Sequence, residues 1–260
     1  RCGGSARLGE VATMSLLETK SLSKNFGSLN AVRDVSLQIQ PGEIHAVIGP
    51  NGAGKTTFLN LLSGELPVSA GCLQFEGHDI TRWSPDRRAN AGIGRSFQHS
   101  AVFEDLTVHE NLRLAAQTQY PKSFGMLWPA EGYTDVAARV TDVIAQLSLN
   151  AAESTRAGEL SHGEQRQLEI GMLMAISPKL MMLDEPTSGM SRNETLELIG
   201  ILHRLSERHT LMLVEHDMDV VFQLAHRITV LVNGSVLASG TPEAIRADAS
   251  VRIAYLGQED

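Results

Sequence analysis

The segment GPNGAGKT, Gly49–Thr56, follows a short apolar run at Ile44–Ile48 and opens a helical pattern, Thr56–Ser63, that ends at Gly64. Strand, glycine-rich turn and helix in that order satisfy the phosphate-loop pattern G-x-x-x-x-G-K-[ST] in the context it requires. Gly49, Gly52 and Gly54 remove the Cβ atoms that would keep the backbone from wrapping around phosphate oxygens. Lys55 is placed to neutralise β- and γ-phosphates, Thr56 to offer its hydroxyl to Mg2+, and Thr57 to add a contact to the α-phosphate. A chance lysine in a glycine-rich turn would not have both flanks correct.

Such a turn requires a parallel sheet, and the rest of the chain supplies one. β-type runs occur near Leu16–Lys20, Val35–Ile39 and Ile44–Ile48, the last two separated by the turn signal Gln40-Pro41-Gly42. Another strand is expected at Cys72–Phe75. Helical signals dominate from Thr107 to Ile176, interrupted by a Pro- and Gly-containing connection at Tyr120–Gly132. Strands at Leu180–Leu183, Leu211–Val214 and Ile228–Val232 then alternate with helices at Glu194–Leu205 and Met218–Ala225. This pattern predicts an α/β fold whose parallel sheet is interrupted by a helical lobe. The tail from Pro242 reads as weak surface helix.

Composition narrows the function. At 42% hydrophobic and 20% charged residues, the 260-residue chain is ordinary for a soluble globular protein. A formal net charge of −8 argues against a broad nucleic-acid footprint. Only Cys2 and Cys72 are present, far apart, which offers neither a disulfide framework nor a cysteine metal cluster and fits a reducing compartment. No apolar run is long enough to span a bilayer. Residues 1–13 are Gly-rich and polar, lack the centre of a signal peptide, and are expected to be a loose leader or scar before Met14.

Further motifs carry chemistry. LMMLDEP, Leu180–Pro186, is a buried strand ending in two carboxylates that should point to opposite faces. Asp184 would then face the phosphate loop and hold Mg2+, while Glu185 polarises the attacking water. LSHGEQRQLEI, Leu160–Ile170, begins with a capping box of Ser161 and Glu164 before an apolar-periodic helix, so its polar first turn is a ready anion site. His216, after the strand Leu211–Val214, can reach a γ-phosphate. Gln98 follows the run Ile93–Phe97, and Phe26 is placed where an aromatic ring could stack on a base.

Taken in order, Phe26, GPNGAGKTT, Gln98, LSHGEQ, LMMLDEP, SGMS and His216 make the chain from Met14 onward resemble the nucleotide-binding subunits of ABC transporters. The resemblance implies a P-loop NTPase (RecA-like) core with an antiparallel β-subdomain and a helical lobe. The division implied is leader 1–13, core and β-subdomain 14–97, lobe with signature helix 98–176, second core part 177–241 and tail 242–260. ATP and Mg2+ are the implied cofactors. Gly49, Pro50, Asn51, Gly52, Ala53, Gly54, Lys55, Thr56, Thr57 and Phe26 would bind ATP, with Thr56, Gln98 and Asp184 at the metal. Lys55, Gln98, Glu185 and His216 would carry catalysis, Gln98 also linking the site to the lobe. Two subunits would pair head to tail, so that Ser161 and Gly163 of one contact the γ-phosphate held by the other.

Two departures stand out. The common signature LSGGQ reads LSHGE here, with His162 expected to be solvated, and the loop after Glu185 ends in Ser191 where Asp is usual. LSHGEQRQLEI, VEHDMDVV and the terminal AYLG are closest to importer ATPases for branched-chain amino acids, amides and urea. The implied partners are two membrane permease subunits, a second ATPase subunit (a homodimer or a paralogous pair) and, indirectly, a solute-binding protein. The implied place is the cytoplasmic face of the membrane, with no nucleic acid bound. The alternative is a non-transport ABC ATPase acting on nucleic acid or ribosomes.

Overall fold

A computed structural model of the chain describes residues 14–96, 102–119, 134–147 and 149–256. The leader 1–13, Gln98, the Tyr120–Gly132 connection and Gly257 lie outside the described residues. In chain order the strands are β1 (Leu17–Phe26), β2 (Leu29–Ile39), β3 (Ile44–Ile48), β4 (Ala70–Phe75) and β5 (His78–Asp79). There follow β6 (Ile93–Arg95), β7 (Leu180–Asp184), β8 (Thr210–Val214), β9 (Arg227–Val232) and β10 (Ser235–Gly240). The helices are α1 (Lys55–Ser63), α2 (Pro85–Ala91), α3 (Val108–Gln117), α4 (Thr134–Leu147) and α5 (His162–Ala175). They continue with α6 (Arg192–Ser206), α7 (Met218–Leu224), α8 (Pro242–Ala247) and α9 (Ala249–Leu256).

Two sheets frame the molecule. One is antiparallel in the order β2-β1-β4-β5; the other runs β10-β9-β3-β8-β7-β6 and is parallel except where β10 pairs with β9. In the parallel sheet Asp184 lies opposite Val214, and Ile48 opposite Val230. The loops after β3, β7 and β8 therefore emerge from the same edge, the carboxyl ends where open parallel sheets place their sites. Helix α1 is wedged between the two sheets: Phe58, Leu59, Leu61 and Leu62 are fully buried with Val32 and Leu73 of the antiparallel sheet and Val47 and Met182 of the parallel one. The lobe helices α3, α4 and α5 share a second core, through Leu112, Ile144 and Leu168, with α6 and the other face of β7 and β8.

The fold class is the expected one, but several elements differ from the sequence expectation. β1 runs on to Phe26 because its alternation breaks and resumes: Lys20 and Ser21 are both exposed, Ser21 has φ +47°, and the register with β2 shifts there. Beyond that bulge the inward-facing position is Lys24, whose ammonium donates to the Pro67 carbonyl at 2.8 Å, so hydrophobic patterning is silent. β10 and α2 were not expected. The tail is helical and largely exposed, as expected, but it is docked: Ile245 of α8 and Val251 of α9 are buried with Ala46, Val221 and Ile228. Cys72 is disulfide-bonded, although the sequence offered no disulfide framework.

Helix α2 buries an arginine in place of an apolar face. Arg88 is 2% exposed and donates through Nη1 to the carbonyls of Leu61 and Leu62, through Nη2 to Thr81 and through Nε to Trp83. Leu61 and Leu62 lie in the last turn of α1, whose carbonyls have no partner within the helix. Arg88 thus anchors the far end of the helix whose start is the phosphate loop. Replacing Arg88 with Met should cost about 2–4 kcal/mol in urea unfolding, because several buried carbonyls lose their donor. An unchanged midpoint would show that water or a shifted backbone satisfies them equally well.

Candidate functional site

The phosphate loop is held open by its neighbours. Gly54 has φ +96°, and a Cβ there would fall 2.4 Å from the Ala31 carbonyl of β2. A Cβ on Gly49 would fall 2.2 Å from the Leu231 carbonyl of β9. The loop is thus pressed between both sheets, and the Gly234 amide in the β9–β10 turn donates to Ala53 at 3.0 Å. Gly54 caps α1 with no side-chain hydrogen bond, which leaves first-turn N–H groups and the positive end of the helix dipole facing the cleft. Lys55 is only 8% exposed; its ammonium donates to the carbonyls of Gly49 at 2.6 Å and Pro50 at 3.1 Å. Burial lowers the Lys55 pKa, opposed by Glu185 and Asp184.

Asn51, Gly52, Ala53, Gly54, Lys55, Thr56, Thr57 and Glu185 line one cleft of about 570 Å³. The cleft also uses residues that motif reasoning missed: Asn30, Ala31 and Arg33 of β2, and Asn233 and Gly234 of the β9–β10 turn. The Asn-Gly pair, with φ +49° and +79°, is a strong hairpin signal that could have been found. Arg33 had no signal beyond an exposed strand position; its Nη2 donates to the Asn233 carbonyl at 3.1 Å. Phe26 is 46% exposed at the tip of β1, with the Lys24 ammonium 5.0 Å from its ring centre, and does not line the cleft.

Asp184 ends β7, and Glu185 lies just beyond the strand, so the two carboxylates have different environments although both line one small cavity. Asp184 is buried; its Oδ2 accepts no hydrogen bond and forms an ion pair with the Arg95 guanidinium at 3.5 Å. Burial raises the Asp184 pKa, with Arg95 opposing and Glu185 adding to the rise. Glu185 has φ +46° and a partly exposed side chain whose Oε1 is 3.8 Å from His216 Nδ1. The fold therefore brings Glu185 to both the phosphate loop and His216.

Ser161 and Gly163 sit elsewhere, and neither lines the phosphate cleft. The Ser161–Glu164 capping box is present, as is a second box of Ser191 and Glu194 at the start of α6. Glu194 also reaches across: its Oε2 accepts from Ser191 N, and its Oε1 accepts from Gly163 N at 3.1 Å. The expected anion site at the start of α5 is thus engaged by a carboxylate of the same chain. His162 is exposed but does more than project into solvent: it lines a second cavity, about 250 Å³, with Arg166, Glu185 and Ser188, and its ring lies beside Gly189.

Comparison with known proteins places this geometry. Residues 32–188 match the family model described as ABC transporter, and residues 235–260 match one described as branched-chain amino acid ATP-binding cassette transporter. The chain is 38% identical over 251 residues to the high-affinity branched-chain amino acid transport ATP-binding protein LivG of Escherichia coli K12, covering 94% of this chain and 98% of that one. It is 34% identical over 250 residues to BraF of Pseudomonas aeruginosa, similarly named, with the same coverage. The ADP conformation of an ATP-binding cassette of an ABC transporter superposes with a TM-score of 0.83 at 29% identity, covering 95% of this chain and all of that one.

Lys55→Ala should weaken ATP binding on the order of 100-fold in a calorimetric titration, because the cleft loses its one buried ammonium among the described residues. Unchanged affinity would remove Lys55 from the phosphate site.

Proposed function

The chain belongs to the ABC transporter ATP-binding family, and we propose that it is the ATP-hydrolysing subunit of an importer for branched-chain amino acids. The observation that carries the site assignment is the glycine-pinned loop with Lys55 and the uncapped start of α1 in the same cleft as Glu185. The cargo reading rests on the names of LivG and BraF and on the matched C-terminal segment. Amides and urea, also suggested by the sequence, have no such support.

Gly49, Pro50, Asn51, Gly52, Ala53, Gly54, Lys55, Thr56 and Thr57 form the phosphate cradle, the backbone donating N–H groups except at Pro50, which has none, and Lys55 acting by charge. Phe26 serves the adenine from the tip of β1. The Thr56 hydroxyl and the buried Oδ2 of Asp184, which accepts no hydrogen bond, suit Mg2+, which such sites hold through few protein oxygens and water. When bound, the ion neutralises charge on the phosphate oxygens. Glu185 orients water toward the γ-phosphorus; as the new P–O bond forms, the bond to the β–γ bridging oxygen breaks, and ADP and phosphate result. His216 steadies the γ-phosphate from beside Glu185. Gln98 completes the metal side and links it to the lobe of residues 98–176, which would dock the permeases.

No helix among the described residues is long and apolar enough to cross a membrane, which suits a subunit held at the cytoplasmic face by two permease subunits. The second ATPase subunit completes each site: Ser161 and Gly163 of one copy close on the γ-phosphate held by the other. Glu185→Gln should preserve shape while removing the carboxylate that orients water, so bound Mg-ATP persists and holds the pair together. Light scattering after size exclusion should then show a dimer with Mg-ATP and a monomer without it. Adding Ser161→Arg should restore the monomer, since a bulky cation blocks the trans approach and leaves the phosphate loop intact. A double variant that still dimerises would remove the start of α5 from the trans contact. If neither dimerises alone, the pairing partner is a different ATPase subunit, and mixing with it gives the same comparison.

A further inference from the structure

Glu215 ends the apolar run of β8 with no solvent exposure. A buried carboxylate is costly unless donors surround it, and an apolar residue would continue this strand without that cost. The donors are found on two functional loops. Glu215 Oε1 accepts from the Thr187 amide at 3.0 Å and the Thr187 hydroxyl at 2.6 Å, and Oε2 accepts from the His216 amide at 3.2 Å. Helix α7 does not need it, because Asp217 caps that helix.

The loop that Glu215 grips contains Glu185 in a left-handed conformation, which a non-glycine residue keeps only when its surroundings over-determine it. Arg166 of α5 holds the same loop from the other side, donating to the carbonyls of Asp184 at 2.8 Å and Pro186 at 3.1 Å. The Glu185 amide donates to Val214 at 2.8 Å. These bonds fix the 3.8 Å approach of Glu185 to His216 from both ends. None of them touches the phosphate loop.

We propose that Glu215 is a positioning residue for hydrolysis: its carboxylate ties the loop after Glu185 to the backbone of His216, so that the two side chains act as one unit on the γ-phosphate. This rests on the assignment of Glu185 and His216 to ATP hydrolysis. Glu215→Gln keeps the shape but turns one acceptor toward the converging donors into another donor. The binding cradle should be unaffected and the approach of Glu185 to His216 loosened.

The test is steady-state ATP hydrolysis by the full chain assembled with its transporter partners, as a double-mutant cycle with His216→Ala. Glu215→Gln should lower kcat about tenfold while KM stays within about twofold, the split expected when only the transition state is affected. In the His216→Ala background the same substitution should cost less than about twofold. Equal loss in both backgrounds, or a rise in KM at unchanged kcat, would overturn the proposal. Thr187→Val, which removes one donor at constant shape, should also lower kcat, and Thr187→Ser should restore it; this pair carries the test if Glu215→Gln does not fold. Thr187→Val and Thr187→Ser both at wild-type kcat would overturn it as well. A wild-type assembly without ATPase activity, or His216→Ala indistinguishable from wild type, would refute the functional reading itself and the proposal with it.

Discussion

The structure depends on the close approach of two backbone carbonyls, Ala31 of β2 and Leu231 of β9, to Gly54 and Gly49. Side chains at those glycines would collide with the main chain, so the loop can be this tightly enclosed only without them. The enclosure fixes the loop between a parallel and an antiparallel sheet before any phosphate arrives. It also supplies the Gly49 and Pro50 carbonyls that hold Lys55 in place. A preformed cradle of this kind spends little ordering entropy on binding, and partial exclusion of water strengthens the attraction between its Lys55 charge and a phosphate, although it disfavours the charge itself.

Around that cradle the anionic groups are distributed unequally. Asp184 is buried and its pKa is raised, chiefly by desolvation; Glu185 stays partly exposed; Glu215 is fully enclosed by donors. Three carboxylates near one sheet edge therefore differ in environment, which suits the separate roles proposed for them: a metal, a water molecule and the loop geometry. Glu194 adds a fourth use, engaging the Gly163 amide at the start of α5. In the proposed pair, a phosphate presented by a second copy would address the donor that this carboxylate holds.

Much of this was legible in the sequence, for identifiable reasons. The strand–turn–helix at Ile44–Ser63 and both capping boxes rely on local chemistry, so they could be read locally. The parts that escaped depend on polar burial. Lys24 and Arg88 occupy inward positions where apolar residues are expected, which hid the length of β1 and the existence of α2. Ser84 followed by Pro85, with Gly92 at the far end, carried the helix signal for α2 that periodicity lacked. Arg33 reached the cleft through sheet pairing, and Glu194 reached Gly163 across 31 residues, neither of which spacing reveals.

The central claim is that the nucleotide site is prepared in one chain and completed by another. Hydrogen exchange at the amides of residues 51–57 and 161–164, in the Glu185→Gln chain with Mg-ATP, tests it most directly. At concentrations where light scattering shows the Glu185→Gln chain to be a monomer, Mg-ATP should protect only residues 51–57. In the assembled transporter, where the two ATPase subunits meet, residues 161–164 should become protected as well. Protection of 161–164 in the monomeric chain, or its absence in the ATP-bound assembly, would contradict a site shared between two subunits.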